Sequence, residues 1–149
     1  MDNIKHGPVP QYPFYCTLPV QLRFNDIDML GHLNNNCYFQ IFDLGKNNYF
    51  SRVKEGYVEW TRPPLMIVNL TCNFLAQTRF TEPVAVQTHT VSIGEKSVTM
   101  MQQIINSDTG EVKCVCQTVL VYFDHEAGVT APIPQQWRDD LSAYERRQL

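Results

Sequence analysis

Long hydrophobic runs are missing from this chain. No stretch of 18 apolar residues occurs, so no segment is expected to cross a bilayer as a helix, and no membrane role is expected. Basic charge is also scarce. The 12 lysines and arginines against 15 acids leave a formal charge of −3, with no basic stripe, so no nucleic-acid partner is expected. Neither C-x-x-C nor H-E-x-x-H appears. The five cysteines are odd in number, and Cys114 and Cys116 point the same way on a strand without reaching disulfide geometry. The cysteines therefore read as small buried hydrophobes. His6, His32, His89 and His125 show no ligand spacing, so neither a metal nor another cofactor is expected. Met1 to Pro13 is polar and proline-rich and lacks the apolar stretch of a signal peptide, which leaves a cytoplasmic address as the expectation.

With 44% apolar residues over 149 positions, the chain can bury one sizeable core, and a single domain is expected. That core spans about residues 15–124, between an N-terminal extension at 1–14 and a short helix at about 134–147. A first strand is expected from Tyr15 to Phe24, with Leu18, Val20, Leu22 and Phe24 on one face; Pro19 marks it as an edge strand or an irregular start. A helix follows from about Asn35 to Val53. At 100° per residue Tyr38, Ile41, Phe42, Gly45, Tyr49 and Val53 form one stripe, with Gln40, Asp43, Asn47 and Ser51 opposite. Gly45 in that stripe implies close approach to a sheet, the asparagines at 34–36 are N-cap candidates, and Gly56 is the expected C′ residue.

Residues 57–64 form a connection. Four strands are expected after it, at about Leu65–Gln77, Val84–Ile93, Ser97–Asn106 and Glu111–Phe123, with short hairpins at 93–96 and 107–110. In the first of these Val68, Leu70, Cys72 and Phe74 alternate with polar residues. The last is apolar on both faces, which implies burial on both. One helix followed by a run of antiparallel strands is an α+β pattern. A curved sheet of about five strands wrapped around the helix would bury it. The apolar surface left over calls for a homo-oligomer, a dimer in the first instance or a tetramer.

The polar residues concentrate between the first strand and the helix, in Arg23-Phe24-Asn25-Asp26-Ile27-Asp28-Met29-Leu30-Gly31-His32-Leu33-Asn34-Asn35-Asn36-Cys37-Tyr38. Few of them suit a strand or helix interior, whereas a loop held by a scaffold is where function tends to sit. Asp28 and His32 are the candidate catalytic residues. Asp28 as a plain turn residue and His32 as a loop histidine are the alternatives. Asp26 reads as structural, bonding loop N–H groups or pairing with Arg23. Asn34, Asn35 and Asn36 read as turn and cap residues that support the loop. Asp43 on the helix is a further carboxylate, expected to be solvated or interfacial.

The run Asp26-x-Asp28-x-x-Gly31-His32-Leu33-Asn34-Asn35-x-x-Tyr38 resembles the hotdog-fold acyl-CoA thioesterases of the 4-hydroxybenzoyl-CoA thioesterase type. It is similar also to acyl-acyl-carrier-protein thioesterases with a Gly/Gln-His-Val-Asn-Asn run. Arg79-Phe80-x-Glu82-Pro83 and Ser92-Ile93-Gly94-Glu95-Lys96-Ser97 resemble the family's later turns. The resemblance covers about residues 17–124. It implies a hotdog fold and hydrolysis of a thioester of coenzyme A or of a carrier protein, with active sites at a dimer interface. It places the catalytic carboxylate on Asp28, as nucleophile or general base, and the oxyanion donors on backbone N–H groups in Asn34 to Cys37. Where the family often has an arginine near position 46, this chain has Lys46.

Tyr38, Phe42 and Lys96 are the candidate substrate contacts, with Phe39 and Leu65 as further acyl-pocket candidates and Arg62 and Arg79 as further basic residues. Aromatics at helical spacing are usually core, and ordinary surface charge is the usual reading of such basic residues. Two other functions stay open: an acyl-thioester hydratase or dehydratase on the same fold, whose motif is different, and a non-catalytic acyl-thioester binder.

Overall fold

The computed structural model describes residues 7–56 and 61–149. Residues 1–6 of the expected extension and 57–60 of the expected connection lie outside the described residues.

Helix α1 runs Asn35–Val53, as its apolar periodicity predicts. Asn34 is the N-cap, its side-chain oxygen accepting the Asn36 N–H at 3.0 Å. At the other end Glu55, not Gly56, takes the left-handed C′ position, with φ 52°. The Glu55 N–H bonds to the Arg52 carbonyl and the Gly56 N–H to the Ser51 carbonyl, the paired closure of a Schellman turn. The expected stripe is buried, and Lys46 and Phe50 join it. Gly45 lies so close to the sheet that a Cβ there would stand 2.7 Å from Gln102 Nε2 and 2.8 Å from Val86 Cγ2.

The helix lies against one antiparallel sheet of order β1-β3-β4-β5-β2, with a two-residue β6 paired to β5. The strands are β1 Cys16–Val20, β2 Leu65–Phe74, β3 Val84–Ile93, β4 Ser97–Asn106, β5 Val112–Asp124 and β6 Val129–Thr130. Two strands are shorter than expected. β1 stops at Val20, and the chain turns through a 3-10 turn at Phe24–Asp26, which takes Phe24 out to solvent while Leu22 stays buried. β2 stops at Phe74 because the Leu75 and Ala76 N–H groups both turn to the Lys113 carbonyl. A bulge between Ile67 and Asn69 removes Val68 from the expected alternation and leaves it exposed.

Two buried clusters fill the space under α1. One joins Tyr38, Ile41 and Phe42 to Val86, Ile104, Cys114 and Cys116; the other joins Tyr49 and Phe50 to Val98, Met100, Leu120 and Leu141. Gln102 lies under the helix where Gly45 makes room, its amide donating to the Phe42 carbonyl and to Thr88 Oγ1. Helix α2, Gln135–Glu145, completes the second cluster with Leu141 and is tied to α1 by the Tyr49 hydroxyl donating to Glu145. No helix among the described residues is long and apolar enough to cross a membrane.

Candidate active site

The loop between β1 and α1 is built from its own polar side chains. Asp26 accepts from the Arg23 backbone N–H at 2.7 Å and forms an ion pair with the Arg23 guanidinium at 2.8 Å. The guanidinium holds the Asp26 carboxyl below its usual range. The Asp26 carbonyl also accepts the Asn34 N–H at 2.8 Å, so this acid braces the loop against the helix start.

Asp28 opens a tighter turn. Its N–H donates to the His32 carbonyl, its carbonyl accepts from Gly31, and its Oδ1 accepts the Leu30 N–H at 2.8 Å. Gly31 sits at φ +79°, a conformation that glycine adopts without strain. An Ile27–Leu33 bridge closes the base of the turn. The second oxygen of Asp28 makes no hydrogen bond among the described residues. The His32 ring makes none either.

Asp28, His32, Asn34, Asn35 and Tyr38 come together on one side of a cleft of about 390 Å³; Phe74 to Gln77 form the facing wall. Backbone hydrogen bonds at the helix start narrow the expected oxyanion donors. The N–H of Asn34 goes to Asp26, that of Asn36 to the Asn34 side chain and that of Cys37 to the Asn34 carbonyl. The Asn35 N–H is left without an acceptor among the described residues. It lies at the positive end of the helix dipole.

Two candidate contacts are not in the cleft. Phe42 is wholly buried in the core, because it occupies the centre of the helix stripe. Lys96 stands on the exposed β3–β4 hairpin. Through the register Phe74–Cys114–Ile104–Val86 the cleft wall is level with the start of β3, roughly 25 Å from that hairpin by strand rise. Asn36 is exposed and does not line the cleft, and Asp43 is exposed on α1, outside the cleft and 3.1 Å from Lys46 Nζ.

The facing wall depends on residues that the sequence did not single out. Thr78 is fully buried; its carbonyl accepts the Leu33 N–H at 2.7 Å and its hydroxyl meets the Tyr38 hydroxyl at 2.8 Å. Burial raises the Tyr38 phenol above its ordinary value. Lys113, buried within β5, donates to the Gln77 carbonyl at 3.0 Å and pairs with Glu82 at 2.6 Å and Glu111 at 3.0 Å. Burial alone would lower the Lys113 pKa, but these two carboxylates raise it above the usual lysine value. A lysine on a strand carries no sequence signal of this role, since Gln77 and Glu82 come from a segment some thirty positions away and only Glu111 is near in sequence. Among the described residues no group of three His, Cys, Asp or Glu side chains is placed to hold a metal ion.

Comparison with known proteins agrees with this architecture. A thioesterase from Thermus thermophilus, crystallised with coenzyme A and Zn, is 28% identical, with a TM-score of 0.82 over 91% of this chain and 98% of that one. Slr0204, a 1,4-dihydroxy-2-naphthoyl-CoA thioesterase from Synechocystis, shares the fold at 16% identity, with a TM-score of 0.74 over 85% of this chain and 94% of its own. The uncharacterized protein YsmA of Bacillus subtilis (strain 168) is 26% identical over 121 residues, 81% of this chain and 78% of YsmA. The family model of the thioesterase-like superfamily matches residues 22–141. That match takes in the Asp28 turn, the helix, the strands β2 to β6 and part of α2, and the chain belongs to the thioesterase-like superfamily.

Proposed function

We propose that this protein hydrolyses acyl-coenzyme A thioesters in the Asp28 cleft. The observation that carries the reading is the pairing, in one cleft, of a half-tied carboxylate with a helix start that keeps one N–H uncommitted. A thioester carbonyl is electrophilic and its thiolate leaves readily, so one carboxylate and one oxyanion donor can carry the reaction. With the carbonyl oxygen at the Asn35 N–H, the free oxygen of Asp28 attacks the carbonyl carbon directly or takes a proton from an attacking water. In either route the C–S bond breaks, the thiolate leaves, and water supplies the hydroxyl of the product acid. His32, on the same wall, would orient Asp28 or the water. Loss of an oxyanion donor costs about 3 kcal/mol in enzymes that use one, so the helix start should matter as much as the acid.

The test is thiol release from short, long and aromatic acyl-CoAs. Asp28→Asn keeps an oxygen for the Leu30 N–H, so its melting temperature should match wild type while turnover falls at least a hundredfold. Turnover unchanged in that variant would overturn the role of Asp28.

We infer further that two copies associate through β2. This strand ends the sheet with no neighbour beyond it among the described residues, and it exposes Met66, Ile67 and Val68. An unpaired apolar edge is a template for a second strand. Val68→Lys should convert an oligomer to a monomer in light scattering; an unchanged mass would reject the edge as the contact.

A further inference from the structure

We propose that Phe24, Phe80 and Arg79 form the seat for the adenine nucleotide of the coenzyme A thioester; this rests on the acyl-CoA reading of the cleft. Phe24 is 81% exposed and Phe80 46% exposed, yet their rings meet edge to face with centroids 6.3 Å apart and an interplanar angle of 78°. Exposed phenylalanine has no favourable contact with water, and here both rings stand on braced turns. The Phe24 turn is held by the Arg23–Asp26 pair. The Phe80 turn is held by the Arg79 N–H donating to Glu82 at 2.7 Å and by Glu82 pairing with Lys113. A base lying flat on the exposed face of one ring would meet the other ring edge-on, and the braced turns limit the entropy lost when it binds.

The position suits the rest of the molecule to be bound. Phe80 follows the cleft-wall residue Gln77 by three positions, which places it within about 11 Å of that wall. Phe24 precedes Asp28 by four. The flexible pantetheine arm bridges such a gap between a thioester in the cleft and a nucleotide outside it. Arg79, between Thr78 and Phe80, engages only its backbone; its guanidinium is exposed and makes no hydrogen bond or ion pair among the described residues. A guanidinium beside a stacking surface is suited to phosphate oxygens. An acidic carrier protein would need a broader basic surface. Nearby Arg23 is already paired with Asp26, and Lys113 is buried between Glu82 and Glu111.

The experiment has two arms. Calorimetric titration with 3′,5′-adenosine diphosphate, which carries no thioester, should show binding to wild type. Binding should weaken about tenfold or more in Phe24→Ala/Phe80→Ala, the loss expected for a base stacked on aromatic rings. Arg79→Gln should weaken it separately. No binding to wild type, or equal binding to the variants, overturns the nucleotide seat whatever the catalytic activity. The second arm compares an acyl-CoA with the acyl-pantetheine of the same acyl group. The double variant should raise KM for the acyl-CoA alone and leave kcat and the acyl-pantetheine kinetics unchanged. A loss shared by both substrates, accompanied by a change in oligomeric mass, would make the rings a contact between copies and overturn the proposal. Nucleotide binding without hydrolysis of any thioester would instead reject the hydrolase reading and leave the seat standing.

Discussion

The hydroxyls of Tyr38 and Thr78 meet at 2.8 Å across 40 residues of sequence, joining the first turn of α1 to the segment that walls the cleft. Both residues are buried, so each hydroxyl depends on the other for its hydrogen bond. Tyr38→Phe or Thr78→Val alone leaves one hydroxyl unpaired and should cost about 1–3 kcal/mol. The double variant removes both polar groups and should cost less than the sum. Urea unfolding of the four proteins checks this, and strict additivity would show that the pair is not coupled.

Two glycines should respond to alanine for different reasons. At Gly45 a Cβ would stand 2.7 Å from Gln102 Nε2, 2.8 Å from Val86 Cγ2 and 3.1 Å from Thr88 Oγ1. Overpacking of this kind costs about 1–3 kcal/mol, and the strain falls on the helix–sheet contact. At Gly31 a Cβ meets nothing within 4 Å, but φ is +79°. The left-handed backbone alone should then cost about 1–2 kcal/mol. Thermal melts should show both losses, but Gly31→Ala should lower turnover more strongly, because the distortion falls on the Asp28 turn.

Acid should weaken the fold through His89. This side chain is fully buried on β3 against the rings of Tyr12 and Phe14, and both ring nitrogens lack partners. Burial, with the nearby Arg147 charge, lowers its pKa from 6.5 to about 4. Because the folded value lies below the unfolded one, His89 favours the fold above pH 6.5, and that contribution is lost as pH falls through about 4. The gap corresponds to a loss on the order of 3 kcal/mol. Glu145 acts in the opposite sense. Burial raises its pKa above 4.5, so its contribution is present below 4.5 and is lost as pH rises through the folded value. Stability measured in urea from pH 7 to pH 4 should therefore fall less in His89→Leu than in wild type. Parallel curves would show that His89 does not titrate in this way.

Much of this was legible in the residues. Nineteen helical positions followed from the apolar period and the asparagine cap, because helix faces and caps are local properties of a sequence. The β3 and β4 boundaries followed from alternation between turn residues. The cluster of Asp28, His32 and the asparagines in one loop was visible for the same reason, since residues so near in sequence cannot separate far in space. That Glu55 and not Gly56 takes the C′ position, the bulge at Val68 and the early end of β2 were not visible. Each depends on how backbone groups pair in the closed fold, as where the Leu75 and Ala76 N–H groups both turn to the Lys113 carbonyl, and sequence pattern does not report that pairing.

The sequence by itself determined an α+β chain with one long buried helix, a polar turn before it and a sheet to cover it. Short-range periodicity and turn chemistry suffice for that. Tertiary structure decided which groups face one another. It took Phe42 into the core and Lys96 to a distant hairpin, tied Thr78 and Lys113 to residues that line the cleft, and left the Asn35 N–H open while its neighbours found acceptors. These are contacts between residues tens of positions apart, or choices among competing hydrogen bonds, and both exist only once the chain has closed on itself.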